Sequence, residues 1–213
     1  MDLRDLIISV PAIMMAVILH EYAHGWMAYK MGDPTAKEYG RLTINPIPHI
    51  DPIGSVLLPA LLILAGSSIL FGWAKPVPIN PFRFRDLRLG TFLVSIAGIG
   101  MNLMLAFFFG FLYRVIEAGY LNFLGNAILT PLAIFATKAV LINVVLAIFN
   151  AVPIPPLDGS RALMSFLSLR YWELFYRFEM YGFFIITILL FTGILGRLIY
   201  PPIIFLYRLI LGA

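Results

Sequence analysis

Apolar runs long enough to cross a lipid bilayer recur along this whole chain, and no other feature restricts its fold so strongly. A helix needs about 20 residues to cover a hydrocarbon core of ~30 Å. Such runs occupy roughly 6–31, 91–116, 127–152 and 181–196, with a further run at 53–71 and a shorter apolar tail at 203–211. Inside a bilayer a spanning segment must satisfy its own backbone polar groups, which favours helices. The expected fold is therefore an all-α polytopic membrane protein, a compact transmembrane helix bundle in which 1–213 form a single domain. With 61% hydrophobic and 12% charged residues in a chain of 213, there is no room for a separate soluble domain. Residues 1–31 read as an uncleaved first span rather than a signal peptide. Asp2 and Asp5 offset Arg4, no small-residue cleavage site follows, and His20, Glu21 and His24 interrupt the apolar run.

The charges sort with the span ends. The net charge of +4 is not gathered in a patch with interleaved aromatics, so a lipid bilayer is the expected partner and nucleic acid is not. Lys30, Lys37 and Arg41 precede 53–71, while Lys75, Arg83, Arg85 and Arg88 follow it. Positive charge favours the cytoplasmic side, so both flanks are expected there and 53–71 is expected to be re-entrant, although its length also allows a crossing. The same choice puts Arg161, Arg170 and Arg177 in the cytoplasm and the N-terminus outside. The loops at 41–45 and 74–79 are expected to form short β-like strands, whose edges could receive an extended substrate, with Pro76 and Pro78 limiting which side pairs.

The chain has no cysteine and three histidines, so a metal must rest on His, Asp or Glu. His20-Glu21-Tyr22-Ala23-His24 has the H-E-x-x-H spacing, which puts both imidazoles on one helix face with Glu21 beside them. Two imidazoles and a third protein ligand leave the fourth tetrahedral position of zinc to water, and Glu21 can take a proton from that water. A five-residue pattern also arises by chance, and a lone histidine on an apolar face is usually a core residue. Within a spanning helix, however, an acid at the centre costs at least ~2.5 kcal/mol on insertion scales, and such groups are functional by default.

Asp158 is the candidate third ligand. It follows the Pro-broken run Asn150-Ala151-Val152-Pro153-Ile154-Pro155-Pro156-Leu157 and precedes Gly159. It could equally be the N-cap of the helix that follows. A re-entrant 53–71 favours the ligand, because the spans ending at 31 and 152 then finish on the same side. Asn150 leans toward a role at the site, whereas Asn102 leans toward a hydrogen bond between helices. His49 reads as an interfacial turn residue, Lys138 as a snorkelling or cavity-facing cation without an assigned role, and Trp26, Trp73 and Trp172 as interfacial anchors.

The motifs HEYAH, GRLTINPIPHIDPIG, FGWAKPVPINP, AGIGMN and NAVPIPPLDG, in this order over residues 18–160, resemble those of the site-2 protease family of intramembrane zinc metalloproteases, in particular its short prokaryotic members. The resemblance implies one Zn2+ per chain held by His20, His24 and Asp158, with Glu21 as catalytic base. It also implies that Asn150 binds substrate or stabilises an oxyanion, and that Gly98 and Asn102 form the family's Gly-x-x-x-Asn helix. The usual Gly-Pro pair reads Gly98-Ile99 here, and no PDZ or CBS module is expected. The expected activity is hydrolysis of peptide bonds within or near transmembrane segments of other membrane proteins. The enzyme would be a multi-pass protein of the cell membrane, with its site nearer the cytoplasmic side. The alternative is a membrane metal-binding or transport protein without proteolytic activity, against which stands the lack of a repeated half or a second ligand cluster.

Overall fold

The computed structural model describes residues 3–64 and 74–212. Among them the chain forms α1 (Leu3–Met31), α2 (Thr35–Glu38), α3 (Leu58–Leu64), α4 (Leu87–Glu117), α5 (Asn126–Ala151), α6 (Asp158–Met164), α7 (Trp172–Phe191) and α8 (Ile194–Leu211), and no strand. Among the described residues five segments are long and apolar enough to cross a membrane: Ile7–Met31, Leu87–Glu117, Asn126–Ala151, Leu169–Phe191 and Ile194–Leu211. The molecule is an all-α polytopic membrane protein.

Lipid tails are as apolar as leucine, so helices in a bilayer associate through close packing and interhelical hydrogen bonds rather than through expulsion of water. The sequence supplies both on one face of α4, where Ser95, Gly98, Asn102, Ala106 and Gly110 are buried at helical spacing. Ala12 and Ala16 of α1 and Ala136, Ala139 and Ala147 of α5 are buried too. Small residues on facing surfaces let the three backbones approach, which makes α1, α4 and α5 the core of the bundle. Asp86 starts α4 by accepting a hydrogen bond from the Leu89 N–H at 2.9 Å, so the helix begins at the end of the basic 83–88 loop.

Hydrogen bonds fix which helix ends share a side. The Arg85 N–H donates to Met31 O at 2.8 Å, so the end of α1 meets the start of α4. The Lys75 N–H donates to His49 O at 2.9 Å. A single crossing between residues 49 and 75 would separate those two atoms by the ~30 Å of a bilayer core. The segment therefore has both its flanks, residues 49 and 75, on one side. It begins with Asp51, whose carboxylate accepts from the N–H groups of Ile53 at 3.0 Å and Gly54 at 2.7 Å, and continues through a π-helical turn at Pro52–Leu57 into α3. Residues 65–71 of the expected re-entrant run lie outside the described residues.

Three expectations need correction. The loops at 41–45 and 74–79 carry no strand: within 75–78 only Lys75 and Val77 have an N–H, and both are used inside the molecule, by His49 O and by the Glu21 carboxylate at 2.8 Å. With Pro76 and Pro78 between them, this stretch has no N–H left to build a ladder with a substrate. The span placed at 181–196 is divided, because α7 ends at Phe191 and Gly193 adopts φ 72°, the left-handed conformation that ends helices. The tail placed at 203–211 is the end of α8, which runs through Pro201 and Pro202; membrane helices tolerate internal prolines when neighbours receive the freed backbone groups.

The ends of α8 show what crosses. Leu195 packs with Val152, Leu157 and Ile186 at one end of the bundle. At the other end the Arg114 guanidinium donates to the carbonyls of Ile210 at 2.8 Å and Leu209 at 2.7 Å. The middle of α7 stays with the first of these ends, where Glu179 pairs with Arg161 and Gly182 abuts the Pro155 backbone.

Candidate metal centre

His20 and His24 lie one turn apart on the buried face of α1, 8% and 6% exposed. Opposite them α4 presents Gly98. A Cβ there would sit 2.4 Å from His24 Nε2 and 2.5 Å from His20 Cε1, so only glycine leaves room for the two rings. Each ring is held from behind through Nδ1, to Val94 O at 2.7 Å for His24 and to Asn102 Oδ1 at 2.6 Å for His20. The Asn102 amide orientation follows from its Nδ2, which donates to Asn143 Oδ1 at 2.9 Å and Ala16 O at 3.3 Å. Asn143 Nδ2 donates in turn to Ala139 O at 2.9 Å. A carbonyl oxygen only accepts, so both Nδ1 atoms carry a proton, and in the neutral imidazoles both Nε2 atoms then present a bare lone pair.

Asp158 completes the group from another element. After α5 ends at Ala151, a proline-rich turn brings the chain back, and Gly159 crosses the end of α5 so closely that a Cβ would lie 2.2 Å from Ala151 O. Leu157 takes the cap position of α6 and Asp158 is its first residue, so the helix-cap alternative does not describe this carboxylate. Its Oδ2 is buried without a hydrogen-bond partner and lies 3.2 Å from each Nε2, while the two Nε2 atoms are 2.9 Å apart.

Two bare ring nitrogens and a carboxylate oxygen at these separations repel one another unless a cation sits among them. Tetrahedral zinc with ligand distances of ~2.0–2.1 Å needs donor atoms about 3.3 Å apart. The observed 2.9 to 3.2 Å is close to that, and the donor set of two imidazoles and one carboxylate is a zinc set. Orientation of each imidazole by an acceptor on its far nitrogen is the usual support of a metal-bound histidine.

Glu21 points toward the polar loops, where its Oε2 accepts the Val77 N–H at 2.8 Å. Asn102 is fully buried and both bridges helices and orients His20. Asn150 is only partly buried and donates one amide hydrogen to Leu146 O, one turn back in its own helix, at 3.0 Å. His49 lies in the turn Ile47–His49, 2% exposed, and its Nε2 meets Thr43 O at 2.8 Å. Lys138 Nζ reaches Ser9 Oγ at 3.2 Å, between α5 and α1. Sequence reasoning missed Asn143, though an asparagine in the middle of an apolar span was a signal for it. It also missed the Val94 carbonyl and the Val77 amide, because backbone groups leave no mark in a sequence.

No family model matches the chain, and no solved structure matches it. Curated relatives do. Over 192 residues the chain is 39% identical to "Putative zinc metalloprotease YwhC" of Bacillus subtilis, covering 90% of this chain and 84% of that protein. Over 193 residues it is 30% identical to a protein of the same description, Rip2 of Mycolicibacterium smegmatis, covering 90% of this chain and 69% of that one. These relatives, together with the two imidazoles and the carboxylate held at zinc-ligand spacing, make zinc the cofactor and the chain a hydrolase, and it belongs to the site-2 protease family of zinc metalloproteases.

Proposed function

We propose that this protein cuts peptide bonds within or beside the transmembrane segments of other membrane proteins, from a site on the cytoplasmic side of the cell membrane. The observation that carries this reading is the depth of the ligands. His24 lies seven residues from the end of α1, about 10 Å along the axis at 1.5 Å per residue, and His20 lies a further turn inside. Lys30, Lys37, Lys75, Arg83, Arg85 and Arg88 all gather at that end, which supports its cytoplasmic placement. The whole chain is read as one metalloprotease domain.

In this reading His20, His24 and Asp158 hold the zinc and Glu21 is the base. When bound, the metal supplies a Lewis acid that polarises the scissile carbonyl and makes water more acidic. Glu21 takes a proton from water as the water oxygen bonds to the carbonyl carbon. The carbon–nitrogen bond then breaks, and Glu21 returns the proton to the leaving amine. Asn150 spends one amide hydrogen on Leu146 O, and its second is suited to the negative charge that develops on the carbonyl oxygen. Asn102 acts through His20, as a positioning residue.

The test is a panel of single-span membrane proteins in proteoliposomes with the purified protein, with products mapped by mass spectrometry. Cleavage inside or next to the apolar segment, abolished by a chelator and restored by zinc, is the expected result. Cuts confined to soluble loops far from the bilayer would overturn the intramembrane reading.

A further inference from the structure

Arg41 is 8% exposed and donates to two backbone carbonyls of a neighbouring loop, Lys75 O at 2.7 Å and Pro76 O at 3.2 Å. One residue further on, the Val77 N–H donates to Glu21 Oε2 at 2.8 Å. We propose that Arg41 is a positioning residue for the reaction: its guanidinium clamps the 75–77 backbone so that the Val77 N–H fixes one oxygen of the Glu21 carboxylate. The proposal rests on the reading of Glu21 as the base.

Four features make the loop a rigid strap. Pro76 and Pro78 lock their own φ near −65° and restrict Lys75 and Val77 to extended backbone. The Lys75 N–H is tied to His49 O at 2.9 Å, and the Asn80 N–H to the fully buried Asp33 carboxylate at 2.6 Å, so the strap is anchored on both sides of Val77. Val77 itself is buried on α1 at Gly25, where a Cβ would come within 3.0 Å of its Cγ1. Gly25 is one turn from Glu21 on the same face, so this contact sets the register that brings the amide over the carboxylate. A carboxylate with one oxygen held by an N–H keeps its other oxygen at a fixed position for proton transfer, and such placement governs rate rather than affinity.

Arg41→Gln removes the charge and the Nη2 that donates to both carbonyls. The expected result is full zinc content, a KM unchanged within about twofold and a kcat lower by about 10- to 100-fold, the scale of a misplaced catalytic group. Arg41→Lys, which keeps a cation able to reach the carbonyls, should recover at least part of that kcat. Hydrogen exchange supplies a readout without turnover. In the 74–80 peptide, where Pro76 and Pro78 have no amide, exchange should be at least about tenfold faster in Arg41→Gln. Val77→Pro deletes the amide while leaving Arg41 in place and should reproduce the loss of kcat. Unchanged exchange, an effect on KM alone, loss of zinc from Arg41→Gln, or wild-type kcat in Val77→Pro would each overturn the proposal. Wild-type cleavage by Glu21→Gln would instead remove the base assignment, a result separate from the exchange measurement on the clamp.

Discussion

Gly98 and Gly110 lie on α4 and do the same thing for opposite purposes. Each removes a side chain so that something can press against the helix. At Gly98 the guests are the imidazoles of His20 and His24, and at Gly110 the guest is Ile210 of α8, whose Cγ2 would lie 2.1 Å from an added Cβ. Around Gly110 the neighbours are apolar, with Phe109, Ala106, Ala136 and Val140 in one cluster. Around Gly98 they are His20 and His24, with Asn102 and Asn143 behind His20, all buried and all hydrogen-bonded. A membrane bundle needs only the first kind of packing to hold together, since small residues and close contact suffice. The second kind adds buried polar groups that are expensive in lipid, and the proposed role of His20, His24 and Asp158 as zinc ligands accounts for them.

The sharpest way to break this comparison is to remove a ligand. His20→Ala, His24→Ala or Asp158→Ala should lower zinc content steeply and abolish cleavage, while Glu117→Ala, Asp51→Ala and Glu173→Ala leave zinc intact. Metal analysis of the purified variants reads this directly. Full zinc in Asp158→Ala would detach that carboxylate from the centre.

Gly98→Ala should come next, with zinc affinity reduced by about 100-fold, because His24 is held by Val94 O and cannot retreat from the new methyl group. Competition with a chelator of known affinity measures the loss. Wild-type affinity would mean that α4 yields more easily than its packing indicates.

Removing the support behind His20 should do less. Asn102→Ala or Asn143→Ala should weaken zinc by about tenfold, the low end of the range for outer-shell partners of a metal-bound histidine. Equal affinity in both variants and wild type would reduce the Asn102–Asn143 pair to a helix contact, worth ~0.6–2 kcal/mol in stability alone.

Gly110→Ala probes the other half of the comparison and should have the smallest effect on function. Overpacking against Ile210 should cost about 1–3 kcal/mol of stability while zinc content and kcat stay at wild-type values. A thermal melt in detergent alongside metal analysis separates the two, and a loss of zinc from this variant would show that the halves are not independent.

Much of the site was legible because membrane burial makes ionisable residues conspicuous. His20, Glu21 and His24 interrupt an apolar run, and basic residues stand on both flanks of 53–71, near the contact of Lys75 with His49. Asp158 was less secure, since its neighbours fit a helix cap as well as a ligand. It took the crossing of Gly159 over Ala151 to bring it to the imidazoles. The strand expectation failed for a specific reason: prolines at 76 and 78 and internal partners for the amides of Lys75 and Val77 leave an extended chain without ladder donors. The end of the bundle failed for another, because a proline pair ends most water-soluble helices while α8 carries Pro201 and Pro202 inside it.

The central claim, that binding and chemistry are divided along one helix face, is tested most directly by zinc content and cleavage measured together on Glu21→Gln. The amide keeps the size of the side chain and can still accept the Val77 N–H, but it cannot take a proton from water. A positioned base contributes roughly 100- to 10,000-fold, so cleavage should fall by that factor with zinc at one per chain. Cleavage at the wild-type rate by a folded, zinc-loaded Glu21→Gln would contradict the account.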